Sequence, residues 1–250
     1  MREEKLGRLS NSEIKKSDLY YLHYKSFHRE LFKAVSNYSR GKLLDIGCGN
    51  KPYEKIFEGL IDEYIGCDII QSNLNKVDIL CPANKIPLES HSFDTIFSTQ
   101  TIEHVEDYQG LVHESFRLLK SGGYFILSGP FNWQLHEEPY DFFRFTKHGF
   151  KYIIEKEGFE LVEISENGGM WSVSGQYFLK NIYNEHPKRN KILRILFNIF
   201  KKIKGVYLLN SLFEYLDRID YNTVNTINYV VVAKKNNYAK DEIQKAQKNI

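Results

Sequence analysis

Apolar residues fall along this chain in two rhythms. Short runs at 43–46, 63–68, 77–80, 92–98, 124–128, 159–165 and 227–233 are apolar or β-branched enough to be buried strands. Between them lie segments with apolar residues at helical spacing. The first, from Ser17 or Asp18 to about Val35, carries Leu19, Leu22, Phe27, Leu31 and Val35 and reads as an edge helix or a partial lid. A second follows the first strand, with Tyr53, Ile56, Phe57 and Leu60. A third runs from Tyr108 to Leu119 and is followed by Lys120-Ser121-Gly122-Gly123, whose glycines suit a left-handed helix stop. A fourth covers 147–157, with Thr146 as N-cap and Gly158 as stop. Strands alternating with helices predict an α/β fold built on a parallel sheet covered on both faces. Without repeats or low-complexity linkers, the pattern describes one domain over 1–250. It comprises an N-terminal helical segment at 1–40 whose first 16 residues are polar, a core at 41–165, a helical insertion at 166–222, a last strand at 223–235 and a polar tail.

The glycines after the first strand bring in the first candidate chemistry. Asp45 closes that strand, and Gly47 and Gly49 follow. A strand, a glycine turn and a helix N-terminus would let a ligand lie close to main-chain N–H groups. Asp68 closes the second strand about 20 residues on, where dinucleotide-binding sheets carry the acid that accepts bonds from ribose hydroxyls. The separation points to a nucleotide-like ligand. A nicotinamide cofactor would need a third glycine where Pro52 stands.

Composition narrows the class only a little. The 250 residues are 42% hydrophobic and 26% charged, with a net charge of +2, which suits a globular α/β protein and offers no global basicity for nucleic acid. Cys48, Cys67 and Cys81 lie in or beside strand-like runs, without metal-ligand spacing, and read as buried reduced thiols. With neither a signal peptide nor a spanning run in view, a cytoplasmic protein is expected.

Four blocks in order, LLDIGCGN at 43–50, IGCD at 65–68, SFDTIFSTQTIEHV at 92–105 and ESFRLLKSGGYFILSGP at 114–130, resemble the class I S-adenosylmethionine-dependent methyltransferases. HEEPYDFFRFT at 136–146 further resembles members associated with cell-surface polysaccharide synthesis. The resemblance implies a Rossmann-like, doubly wound seven-stranded sheet of order 3-2-1-4-5-7-6, with the last strand antiparallel and S-adenosyl-L-methionine across the carboxyl ends of strands one and two. By position it implies that Asp45, Gly47 and Gly49 cradle the methionine part, that Asp68 binds the ribose and that Gln100 joins the pocket. Glu103-His104 resembles a segment that shapes the cofactor pocket and caps the next helix. The acid that contacts adenine in the family is replaced by Pro82, so the backbone N–H of Ala83 is the substitute.

Methyl transfer to a hydroxyl needs alignment and a base near neutral pH. His136, after strand five, and His104, after strand four, are the candidate catalytic residues, in that order. Trp133, Tyr140, Asp141 and Arg144 are candidate acceptor-binding residues. No cluster at metal spacing is visible along the chain, so no metal is expected. The expected function is O-methylation of a sugar, glycolipid or related small acceptor. The alternatives are a quinone or lipid O- or C-methyltransferase and an inactive binding protein of the same fold. In the insertion, Lys188, Arg189, Lys191, Arg194, Lys201, Lys202 and Lys204 interleave with Ile192, Leu193, Ile195, Leu196, Phe197, Ile199, Phe200 and Ile203. Such a helix could pack on the sheet, meet a second copy in a homodimer, or bring 188–213 to the inner face of a membrane.

Overall fold

The structure, a computed structural model, describes residues 12–183 and 190–236. At its centre is β1 (Lys42–Ile46), whose Leu43, Leu44 and Ile46 are fully buried. β1 pairs in parallel with β2 (Glu63–Asp68), and β2 with the two-residue β3 (Ile79–Leu80). On its other side β1 pairs in parallel with β4 (Phe93–Thr99), and β4 with β5 (Leu119–Pro130). β6 (Phe159–Asn167) and β7 (Asn228–Lys235) complete a mixed sheet of order β3-β2-β1-β4-β5-β7-β6, as expected.

The pleat sends alternate residues to opposite faces. Leu44, Ile46, Ile96, Phe125 and Leu127 join a core with side chains of α2 (Tyr108–Leu118) and α3 (Lys147–Glu157). On the other face Phe97 packs edge-on against Phe57, 5.0 Å between ring centres, and Phe57 against Tyr64 at 5.5 Å. Thr146 caps α3 by accepting from Gly149 N, and Gly158 ends it at φ 103°, as the sequence predicts.

Three expectations need correction. The helix after β1 is only a 3-10 turn, Glu54–Phe57. Lys51 stands at φ 53° and Pro52 has no N–H to donate, so the chain turns rather than winding into a helix. The apolar spacing of Tyr53 and Phe57 reflects burial, not helix length. Lys120-Ser121-Gly122-Gly123 does not cap α2 either. Leu119 is already extended and pairs with Phe93, and the next pair is Thr95 with Tyr124, so the intervening residues bulge out. Asp94 anchors the bulge through Lys120 Nζ at 2.8 Å. Finally, α1 (Tyr21–Tyr38) starts after the expected cap, because the Asp18 carboxylate accepts from Lys15 N and its carbonyl from Tyr21 N.

Two compact units share the chain. The first holds Leu31–Ser165 and the strand from Tyr229, the second Glu13–Glu30 and Glu166–Asn228. In the second, α4 (Met170–Tyr183), α5 (Lys191–Lys202) and α6 (Gly205–Ile219) join the start of α1. Tyr21, Leu22, Leu179 and Val206 form its small core. The Asp217 carboxylate of α6 accepts from the N–H groups of Gly169, Trp171 and Ser172 and from the Ser172 hydroxyl, satisfying the start of α4. The apolar stripe of α5 is uncovered. Ile192, Leu193, Ile195, Leu196, Ile199 and Ile203 are 46–68% exposed, whereas Phe200 packs on the small core. Lys188 and Arg189 of the basic run lie outside the described residues. No helix among the described residues is long and apolar enough to cross a membrane.

Candidate active site

The loops after β1, β2 and β4 meet at one edge of the sheet. Gly47 adopts φ 80°, and a Cβ there would fall 2.3 Å from Thr101 Oγ1. Its small size therefore lets the loop after β4 cross the loop after β1. Gly47 N and Cys48 N both donate to Cys67 O, at 2.8 and 3.1 Å, and Gly49 N donates to the Asp68 carboxylate at 3.1 Å. The expected row of ligand-facing N–H groups is thus partly engaged within the protein. Asp68 ties the glycine loop to the end of β2 while lying at the edge where the resemblance puts a ribose.

Asp45 is buried and accepts from the Tyr64 hydroxyl at 2.5 Å. Burial pushes its carboxyl up to about 7. The Tyr64 bond and the Lys51 ammonium oppose the shift, and the Asp68 charge adds to it. Lys51, itself buried, reaches Asp78 at 2.6 Å. Asn50, buried in the same loop, has an Oδ1 without a hydrogen-bond partner among the described residues. An orphaned acceptor beside the glycine turn fits a donor such as the ammonium of a bound amino-acid moiety. Asn50 lies within the block at 43–50, but nothing in the spacing of that block marks it.

Gln100 stands at φ 51° after β4, with its backbone N 3.2 Å and its Nε2 3.1 Å from Ser128 Oγ. It pins the end of β4 to β5. Ala83 is half-buried against the core, in the loop after β3. The next residue, Asn84, donates to Asp107, which caps α2 by accepting from Gly110 N. That cap corrects the expectation that Glu103-His104 would perform it.

Glu103 and His104 lie instead in a short turn, Ile102–His104, directly after the Gly47–Thr101 crossing. Glu103 is 0% exposed, and neither carboxyl oxygen has a hydrogen-bond partner among the described residues. Burial pushes its pKa up to about 8, against the pull of its own backbone N–H and of Arg144. The Glu103 carbonyl accepts from Phe142 N and Phe143 N, which draws in the loop after β5. That loop carries His136, whose ring meets His104 edge-on with 4.7 Å between centres. His104 Nδ1 lies 2.8 Å from Tyr140 O, and His104 Nε2 lies 3.8 Å from Glu103 Oε1.

One ligand atom from each of Glu103, His104 and His136 lies within 4.8 Å of the others. Spacing along the chain does not show this group; the fold brings the three side chains together. His136 is remote in sequence, and the Glu103 carbonyl bonds together with the His104–Tyr140 contact bring its loop in.

Asp141 and Arg144 form a clamp in this loop. Arg144 Nη1 and Nη2 donate to the two Asp141 oxygens at 2.6 and 2.7 Å, and its remaining donors reach the carbonyls of Trp133, Gln134 and Phe143. The Asp141 carboxylate also accepts from His136 N at 2.9 Å. Burial alone would raise the Asp141 pKa, but the Arg144 bonds and that N–H hold it at about 2. Asp141 and Arg144 therefore sit beside His136, with bonds that order the loop. Trp133 and Tyr140 are half-buried in the same loop.

Residues 44–127 match the family described as "Methyltransferase domain". A probable S-adenosylmethionine-dependent methyltransferase of Mycolicibacterium smegmatis is 27% identical over 112 residues, 41% of this chain and 44% of that protein. A ubiquinone biosynthesis O-methyltransferase of Pelagibacter ubique is 28% identical over 98 residues, 35% of this chain and 41% of that protein. The matches thus span less than half the length of these curated relatives. Among solved structures, the [4+2]-cyclase SpnF superposes over 92% of this chain and 88% of its own, with a TM-score of 0.58 at 13% identity. The shared fold alone does not specify a reaction. Residues 44–127 are thus similar to a methyltransferase domain, and the sheet order β3-β2-β1-β4-β5-β7-β6 is that of a Rossmann-like α/β fold.

Proposed function

We propose that the chain is a methyltransferase that uses S-adenosyl-L-methionine to methylate a hydroxyl oxygen of a sugar or glycolipid. The cofactor supplies an electrophilic methyl group on a sulfonium. Asp68 binds the ribose, Asp45 and the Gly47–Lys51 loop shape the amino-acid end, and Ala83 N–H serves the adenine. The observation that carries the reading is Glu103, His104 and His136 gathered one short turn beyond the Gly47–Thr101 crossing, a cluster suited to activating a hydroxyl. The Asp141–Arg144 clamp orders His136, and Trp133 and Tyr140 offer aromatic faces to a sugar. Formation of S-adenosylhomocysteine with free and lipid-linked oligosaccharides tests the reading. His136→Ala should cut turnover at least about tenfold with little change in cofactor affinity. Turnover on quinones instead would move the acceptor class, and no turnover on any acceptor would favour a binding protein.

The uncovered stripe of α5 favours the lipid-linked acceptor. We propose that α5 meets an anionic lipid surface. Its exposed apolar residues offer burial, and Lys191, Arg194, Lys202 and Lys204, all exposed, offer charge. Binding to anionic vesicles should be strong at low salt and weaken at physiological salt. Failure to bind anionic vesicles at low salt would leave α5 as a dimer contact.

A further inference from the structure

We infer that Glu103, His104 and His136 form a binding site for a divalent first-row transition-metal ion. A carboxylate and two imidazoles converge with one donor atom each inside 4.8 Å. Ligands about 2.0–2.2 Å from a common ion stand roughly 3.0–4.3 Å apart, so the 3.8 Å between His104 Nε2 and Glu103 Oε1 is already a ligand-to-ligand separation. It is too long for a hydrogen bond.

Glu103 is the strongest part of the case. A fully buried carboxyl with two oxygens lacking hydrogen bonds is costly, whether ionised or neutral. A cation between the oxygens and the imidazoles removes that cost. The histidines are also held as metal ligands usually are. His104 Nδ1 faces the Tyr140 carbonyl at 2.8 Å, which can only accept, so the proton sits on Nδ1 and the Nε2 lone pair faces Glu103. His136 Nδ1 lies 3.2 Å from both Gln134 O and Asp141 Oδ2, the carboxylate–histidine arrangement that orients a ligating imidazole through its far nitrogen. Arg144 Nη2 also lies within hydrogen-bond reach of the same nitrogen, at 3.4 Å, while donating to Gln134 O and Asp141 Oδ2, so His136 Nδ1 is fixed in place by three neighbours.

Two imidazoles favour zinc, cobalt or iron over magnesium or calcium, which take oxygen ligands. Three protein ligands leave positions open for an acceptor oxygen, where the ion would acidify a hydroxyl near neutral pH. This role rests on the methyl-transfer reading, but the site itself does not.

The test uses the full chain, stripped with chelator and titrated with Co2+ alone, without cofactor or acceptor. Calorimetry and the visible absorption of bound Co2+ are read together. One equivalent should bind with micromolar or tighter affinity, with nitrogen-ligand absorption, and Mg2+ should not compete. E103Q and H136Q should each weaken binding at least tenfold. If E103Q fails to fold, H136Q at the half-buried position decides the matter, with thermal melting as the control. No stoichiometric Co2+ binding, or binding indifferent to H136Q, overturns the site and leaves methyl transfer standing. Co2+ binding without any affinity for S-adenosyl-L-methionine would do the reverse.

Discussion

Phe97 and Leu196 are both large apolar residues on regular elements, and they meet opposite fates. Phe97 on β4 is fully buried among Phe57 and Tyr53, whereas Leu196 on α5 is 52% exposed. The contrast runs through the two units. In the sheet unit, apolar spacing along the chain translates into burial. In the helical unit the same kind of spacing produces a surface. A periodic apolar stripe therefore shows that a helix has two faces, but not what covers the apolar one.

The largest effect expected from this contrast is at Phe97. Phe97→Ala should cost about 3–5 kcal/mol in urea unfolding, because a ring is deleted from a closed aromatic cluster. A loss near zero would mean that the β1–β4 face is not packed as described.

Asp217→Ala should cost about 2 kcal/mol, since three backbone N–H groups at the start of α4 lose their acceptor. Each unit holds one of the two tryptophans, Trp133 and Trp171. In a Trp133→Phe background the Trp171 fluorescence transition should shift to lower urea. A transition that stays in place would show that the carboxylate does not cap α4.

Asp45 gives a smaller, pH-dependent effect. Its folded pKa, about 7, lies above its ordinary value near 4, so the folded state holds the extra proton between those limits. The favourable contribution is complete below about pH 4 and is lost as pH rises through about 7. Melting temperatures of wild type minus those of Asp45→Asn should therefore fall across that window and be flat above it. A difference that rises with pH would show that Asp45 is ionised and stabilised by its neighbours.

Leu196→Glu should change stability least, within about 0.5 kcal/mol, because the side chain is already in solvent. It should nevertheless weaken binding to anionic vesicles. A large loss of stability would mean that α5 is covered after all.

The same contrast separates what was legible in the sequence from what was not. β1, β2, β4 and α3 were legible because their signals are local: an apolar run, a closing acid, Thr146 before a helix and Gly158 after it. The glycine block placed Asp45, Gly47, Gly49 and Asp68 at one edge. Their exact work was hidden, since Gly47 is small for the sake of Thr101, which is distant in sequence. The 3-10 turn after β1 was misread because burial of Tyr53 and Phe57 imitates a helix. The bulge at 120–123 was misread because glycines serve a bulge as readily as a helix stop. His104 and His136 were legible as candidates, but their convergence with Glu103 was not. It depends on Phe142 N and Phe143 N finding the Glu103 carbonyl, a contact with no local signature. Asp217 capping a helix that precedes it in the chain escaped notice for the same reason.

The central claim is that the edge formed by β1 and β2 holds S-adenosyl-L-methionine through Asp68. Calorimetric titration of the cofactor into wild type and Asp68→Ala, both shown to be folded, tests it most directly. Wild type should bind one equivalent, and the mutant should bind about 1.5–3 kcal/mol more weakly, having lost charge-assisted bonds to the ribose. No binding by folded wild type, or equal affinity in the mutant, would contradict it.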